Sequence, residues 1–224
     1  MASRARRPER REEPLSRERI VEAAIELLDT AGEGGLTFRA LADRLATGPG
    51  AIYWHIAGKD ELLTAATDAV VARALTPDPA GTQPREAIRA LALGVFDAMD
   101  AHPWIGTQLA RAPAQSPLLR VFEGIGCQVQ ALGVPHAAQF TAASALLNYI
   151  LGVGGQNAAN ARGHRPDTSR AEFLDTVSAS WANLDPDEFA FTRSVAGQLR
   201  DHDDRAEFVA GIDLILTGIT AHTG

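Results

Sequence analysis

Apolar positions recur at helical spacing almost from the start of the chain. Ile20, Val21, Ala24, Leu27, Leu28 and Ala31 fall three or four residues apart, which predicts an amphipathic helix opening at Ser16. Leu15 and Ile20 can staple its start, and Gly32 ends it. A shorter helix follows at Thr37, whose hydroxyl suits a cap. Leu36 and Leu41 stand where a hydrophobic staple would sit, and Leu41 with Leu45 forms the inward stripe. Ala46 to Gly48 reads as a tight turn, with Gly48 as the cap of a third helix, Pro49 as its first residue and Ile52 as its apolar anchor. Two short helices, a turn and an outer face ending in Tyr53, Trp54 and His55 make a helix-turn-helix.

The rest of the chain is helical pattern punctuated by proline and glycine. Gly58 and Lys59 open a fourth helix that carries Asp60 and Glu61 in its first turn, where carboxylates favour the helix dipole, and runs through Val70 and Leu75 to Pro77. The segment from Pro77 to Pro84 has the composition of a linker. Ile88, Leu91, Val95, Phe96 and Met99 make the next helix, His102-Pro103 breaks it, and Trp104, Ile105 and Leu109 continue a short one. Ser116-Pro117 starts another, with Leu118, Phe122, Ile125, Val129 and Leu132 inward and Gly133 as its stop. Pro135 opens a long helix to about Ala161, followed by a polar loop from Arg162 to Asp167. Phe173, Val177 and Trp181 come next, Asp185 to Glu188 caps a helix carrying Phe189 and Leu199, and a last helix fills Asp204 to about His222. With no alternating strand pattern and no repeat, the fold class is all-α. The expected domains are an arm at 1–15, a three-helix head at 16–63 and a helical ligand-binding and dimerisation domain at 64–224.

Charge changes the picture of the head. The net charge is −7, yet Met1 to Arg11 holds five arginines and one glutamate, whereas Glu61 to Gly224 holds 11 basic and 18 acidic residues. Phosphate contacts are short-range and screened, so a basic arm on an acidic chain is compatible with a nucleic-acid partner. The arm has almost no apolar content and is expected to be disordered in isolation. Lys59 is the only lysine, placed just after the third helix where a phosphate contact is expected. The longest apolar stretch, Ala142 to Val153, is broken by Asn148 and too short to span a bilayer, and no signal-peptide core follows the arginines, so a cytoplasmic location is expected. One cysteine, Cys127, excludes an internal disulfide and reads as a buried helical thiol.

Two helices have more apolar surface than one core face needs. The last carries Phe208, Ile212, Ile215 and Ile219 on one side and Gly211, Leu214 and Gly218 on another. The helix from Pro135 carries Phe140, Leu147, Ile150 and Leu151, with Gly152, Gly154 and Gly155 in its second half. Small residues allow close helix approach, so a homodimer through a four-helix bundle is expected, the alternative being that both faces are interior to one monomer.

The run GLTFRALADRLA followed by AIYWHIAGKDELL resembles the DNA-binding domain of the tetracycline-repressor (TetR) family of bacterial regulators, over Ser16 to Leu63. Ile52 and Ile56 replace the family's usual leucine and phenylalanine, and Gly48-Pro49-Gly50 departs further, since Gly50 presents no side chain to a base edge. DRAEFVAGIDLILTGI is similar to the family's final helix, and NYILGVGGQNAAN falls where its other interface helix lies. The resemblance implies a ligand-responsive, homodimeric regulator, expected to be a repressor, that binds a double-stranded DNA operator, with Arg39 matching a position from which arginine reaches guanine. The remaining DNA-side candidates are Tyr53 and His55 for phosphate hydrogen bonds, Trp54 for packing on the sugar-phosphate wall, Thr37, Thr47 and Lys59 for backbone contacts, and Gly48, Gly50 and Ala51 at the start of the reading helix. Tyr53 can alternatively pack inside the head.

For a small-molecule effector, apolar residues with a few polar ones on facing helices give Phe96, Met99, Trp104, Gln108, Phe122, Asn148, Leu151, Gln156 and Trp181 as candidates. No catalytic constellation, metal-ligand spacing or cofactor motif is present: the histidines are scattered, and Gly152 to Gly155 lies mid-helix with no strand before it. Tetracycline itself is not implied, because Ile105 to Leu118 holds no histidine to match that family's drug-chelating one. The alternative is a helical small-molecule binding protein of the same architecture that has lost tight operator recognition, motivated by Gly48, Gly50 and the negative balance.

Overall fold

The structure, a computed structural model, describes residues 14–75, 81–111, 116–163 and 169–221. Among these residues all regular structure is helical: α1 (Arg17–Gly35), α2 (Phe38–Arg44), α3 (Pro49–Tyr53), α4 (Lys59–Ala74), α5 (Pro84–Ala101), α6 (Ile105–Arg111), α7 (Ser116–Ala131), α8 (His136–Gly163), α9 (Arg170–Ala182), α10 (Ala190–Val195), a 3-10 turn (Ala196–Asp201) and α11 (Asp204–Ala221). The basic arm, apart from its end at Pro14 and Leu15, lies outside the described residues, as do most of the proline-rich linker and of the loop before α9.

The chain divides into two compact units, Met1–Ala66 and Thr67–Gly224. The division falls inside α4 rather than in the proline-rich stretch. The distal half of α4 belongs to the second unit through contacts with helices distant in sequence: Arg120 Nε of α7 donates to Asp68 Oδ1 at 2.8 Å, and Gly94 of α5 lies so close to the Ala74 carbonyl that no side chain fits there.

In the first unit Ile20, Ala24, Ile25 and Leu28 of α1 close on Leu36, Leu41, Ile52, Ile56, Leu62 and Leu63, all buried. Ser16 caps α1 by accepting from Arg19 N at 3.3 Å. Gly32, at φ 64°, interrupts the helical backbone near its end, in the left-handed region where a residue lacking Cβ fits. The turn after α2 is a Schellman motif: Thr47 N donates to Ala42 O at 2.9 Å and Ala46 N to Asp43 O at 3.4 Å, with Ala46 at φ 52°. An alanine at that backbone position is strained, so Ala46→Gly is expected to stabilise the head by about 0.5–1 kcal/mol. Slower amide exchange of α2 in the variant checks it, and unchanged or faster exchange would refute it.

In the second unit α5, α7 and α8 pack side by side, α6 lies against α8 and α5, and α11 covers α8 and α5. Ile88, Val95 and Met99 of α5, Val121, Ile125 and Val129 of α7, and Leu146 and Ile150 of α8 form the core with Phe208, Ile212 and Leu216 of α11. Phe208 stacks between Phe96, at 4.6 Å, and Tyr149, at 5.6 Å, whose hydroxyl donates to Phe208 O at 3.2 Å. Burial pushes the Tyr149 hydroxyl above its ordinary pKa.

Four expectations are corrected. Asn148, expected on an inward helix face as an effector candidate, is exposed, because it falls on the outer side of α8 between buried Leu146 and Ile150. Cys127 is also exposed; Glu123, one turn earlier, accepts from its thiol at 3.5 Å and raises its pKa, chiefly through that hydrogen bond. Gly154 and Gly155 face Met99 of α5, and Gly211 makes room for Tyr149, so these glycines serve packing within one subunit. The segment carrying Phe189 and Leu199 is not one helix. Asp185 Oδ1 accepts from Asp187 N at 2.8 Å as the capping signature requires, but α10 buries no residue and passes directly into the 3-10 turn.

Candidate nucleic-acid interface and ligand cavity

The head presents its candidate DNA-contacting side chains from short helices fixed at both ends. Thr37 Oγ1 accepts from Ala40 N at 3.1 Å, which fixes the start of α2 and occupies that hydroxyl's acceptor role locally. Arg39 is exposed in the first turn of α2. Its neighbour Phe38 stacks face to face on Tyr53 of α3, with ring centroids 4.3 Å apart and planes 2° from parallel. That stack ties the first residue of α2 to the last of α3 and leaves Tyr53 54% exposed, so the tyrosine both packs and faces outward. Trp54 is 90% exposed, an apolar ring held in solvent just after α3, and His55 beside it is exposed. Gly48 caps α3 before Pro49, Gly48 and Gly50 are exposed, and Ala51 and Thr47 are half-buried.

One element of this site escaped the sequence reading. Arg17, at the start of α1, donates to His55 O at 2.8 Å and to Glu61 Oε1 at 2.6 Å, while Glu61 Oε2 accepts from Ala57 N at 2.7 Å. The chain just after α3 is thereby held to the starts of α1 and α4. The Ala57 N–H, with Arg17 second, holds the Glu61 carboxyl below its ordinary value of 4.5. A depressed carboxylate pKa contributes stability above the unfolded value and loses it as pH falls through the folded one. Glu61→Gln is therefore expected to lower the melting temperature of the head at pH 7, with the difference shrinking below about pH 4.5; a constant difference across that range would contradict the linkage. Acidic residues in a first helical turn are too common for the sequence to have singled this one out.

Lys59 is similarly engaged. Its Nζ donates to Glu33 O at 2.6 Å, so the ammonium satisfies a carbonyl near the end of α1 and is half-buried there. Arg44 is paired with Glu26 across α1 and α2, through Nε at 2.6 Å. From Pro14 to Ala66 the head carries five basic and eight acidic residues.

The second unit contains a cavity of about 660 Å³. Phe96, Asp97 and Asp100 of α5, Gln156, Asn157 and Asn160 of α8, and Phe173, Leu174, Val177 and Trp181 of α9 line it, together with Arg170, Leu199, His202, Asp203, Asp204 and Arg205. The volume lies within the range of small-molecule sites. Of the nine effector candidates, Phe96, Gln156 and Trp181 line this cavity. Met99 is buried behind it against Gly154, Trp104 is buried, Leu151 and Gln108 are half-buried elsewhere, and Asn148 points outward. Phe122 lines a separate open groove with Ala72 and Leu75. The charged lining, above all Asp97, Asp100 and Arg170, was missed because surface-type residues give no periodic signal.

Two family models match the chain: residues 20–66 match the bacterial regulatory proteins of the tetR family, and residues 76–223 match the tetracyclin repressor-like C-terminal domain. The solved transcriptional regulator SCO7222, a TetR from Streptomyces coelicolor, is 64% identical, superposes with a TM-score of 0.86, and is covered over 99% of its length by 93% of this chain. An HTH-type transcriptional regulator of Saccharopolyspora erythraea is 35% identical over 150 residues, 65% of this chain and 64% of its own length, so the match spans under two thirds of that relative. BioQ, solved with its natural double-stranded DNA operator, is 27% identical, with a TM-score of 0.58 over 84% of this chain and 100% of that one. With both its head and its helical body matched, the chain belongs to the TetR family of bacterial regulatory proteins.

Proposed function

We propose that the protein is a one-component transcriptional regulator, a repressor, whose paired heads hold a double-stranded DNA operator and release it when a small molecule enters the cavity of the helical unit. The observation that carries this reading is one chain with an exposed helix-turn-helix, flanked by Arg39, Tyr53, Trp54 and His55, and a 660 Å³ cavity in its other unit. The DNA-bound relative supports the first half of it. Arg39 reads a guanine, Tyr53 and His55 hydrogen-bond phosphates, Trp54 packs on the sugar-phosphate wall, and Thr37, Thr47 and Lys59 lie along the backbone. Lys59 would share its ammonium between the Glu33 carbonyl and a phosphate.

Two copies join through α8 and α11. Phe140 and Leu214 are 74% and 76% exposed, and an apolar groove between these helices is lined by Val134, Ala138, Ala142, Ala145, Ile215 and Ile219. A helix-turn-helix dimer reaches successive major grooves about 34–36 Å apart. The effector acts by binding more tightly to the form whose head spacing misfits the operator, and a few kcal/mol of difference suffices. The lever is α4, which begins in the head and ends on α5 and α7. No catalytic step is involved, and bound effector is recovered chemically unchanged. No helix among the described residues is long and apolar enough to cross a membrane, and the site of action is the cytoplasm, where the DNA is.

Selection from a random duplex pool at fixed salt tests the reading. Enrichment of an inverted repeat is expected; a pool that stays random would overturn operator recognition. It would then favour the second reading, a helical binder without tight DNA recognition, which the excess of acidic over basic residues in the head supports.

A further inference from the structure

The cavity carries its charge in an unusual place. Asp97 and Asp100 stand within the last five residues of α5, which has no basic residue in its last turn. Carboxylates at a helix C-terminus face the negative end of the macrodipole, where a cation is favoured instead. Arg205 of α11 pairs with Asp97 and offsets it. Asp100 is met differently: its Oδ1 accepts from the neutral amide of Asn157 at 3.0 Å. Across the cavity Arg170 pairs with Asp204 at 2.5 Å, and Asp203 accepts from Ala206 N at 2.8 Å as the cap of α11. Four carboxylates and two guanidinium groups thus line one space, an excess of two negative charges with His202 counted neutral. The opposite wall is apolar and aromatic, formed by Phe173 and Trp181 of α9 with Val177 between them.

An anion entering this space meets the net negative excess, whereas a cation meets in Asp100 a carboxylate held by a neutral partner at the favourable end of a helix. Aromatic faces add attraction for the same sign of charge. Resting on the cavity as the effector site, we propose that it takes an organic cation with an aromatic or aliphatic body, the positive group at Asp100 and the body against Trp181 and Phe173. A locally unfavourable choice of residue at the rim of a cavity is the pattern expected where binding, rather than folding, selects the side chain.

Calorimetric titration of the full chain with tetraphenylphosphonium and tetraphenylborate, ions of matched shape and opposite charge, tests this. The phosphonium is expected to bind at least about tenfold more tightly than the borate, to lose that advantage in Asp100→Asn and to keep it in Asp100→Glu. Equal or reversed preference, an Asp100→Asn variant with unchanged phosphonium affinity, or no binding of either ion at millimolar concentration would overturn the assignment. Trp181→Ala separates the two levels of the argument. If it weakens whichever ion binds while the charge preference fails, the cavity stands as the ligand site and only the cation is wrong. If both Trp181→Ala and Asp100→Asn leave binding untouched, the cavity itself falls as the effector site. Far-ultraviolet melting of each variant confirms that the fold is kept.

Discussion

Replacing Arg39 by alanine is expected to weaken binding to the enriched operator by about 1–3 kcal/mol while changing affinity for scrambled duplex much less. The size follows from what else the head offers a base edge. Gly48 and Gly50 contribute no side chain, and Thr37 already accepts a backbone hydrogen bond from Ala40. Arg44 is paired with Glu26, Arg17 with Glu61, and Lys59 with a carbonyl, which leaves exposed Arg39 as the basic group we propose for base reading. Fluorescence anisotropy at one salt concentration measures it. Equal losses on both duplexes would make Arg39 a phosphate contact, and no loss would remove it from the interface.

The second large effect is expected from Leu214→Arg. Leu214 is 76% exposed on α11, while Phe208, Ile212 and Leu216 of the same helix are buried in the subunit core. Next to it Ile215 and Ile219 line the apolar groove shared with α8. A guanidinium placed in the centre of a dimer face loses hydration without gaining a partner, and the copy related by symmetry adds a second one. The variant is expected to sediment as a single subunit at micromolar concentration and to bind the operator at least about a hundredfold more weakly, near its affinity for unrelated duplex. A variant that remains dimeric and retains operator affinity would place the interface elsewhere.

What the sequence made legible, and what it did not, divides along physical lines. Features that depend on neighbours a few residues apart were readable: the Thr37 cap, Gly48 before Pro49, the stop at Gly133 with its φ of 77°, and the helix break at His102-Pro103. Their causes are local, a hydroxyl reaching a nearby N–H or a ring fixing φ. The inward stripes of α5 and α7 were readable for the same reason. The Arg17–Glu61–Ala57 network was not, since it joins residues 44 positions apart and both charges look like ordinary surface. The contacts at Asp68 and Ala74 that tie the distal half of α4 to the second unit were likewise unreadable, since their partners Arg120 and Gly94 are distant in sequence. Asn148 was misplaced because α8 is rich in alanine and glycine, which blurs the line between its buried and exposed sides. The effector candidates were drawn from apolar residues and a few neutral polar ones, so the cavity's charged side at Asp97, Asp100 and Arg170 stayed out of view.

The central claim is that this chain grips duplex DNA as a pair. Native mass spectrometry of the wild-type protein with its enriched operator, and with a scrambled duplex of equal length, tests it directly. Two chains on one operator duplex, with no comparable complex on the scrambled one, is the predicted result. A single chain on the operator, or equal occupancy of both duplexes, would contradict it.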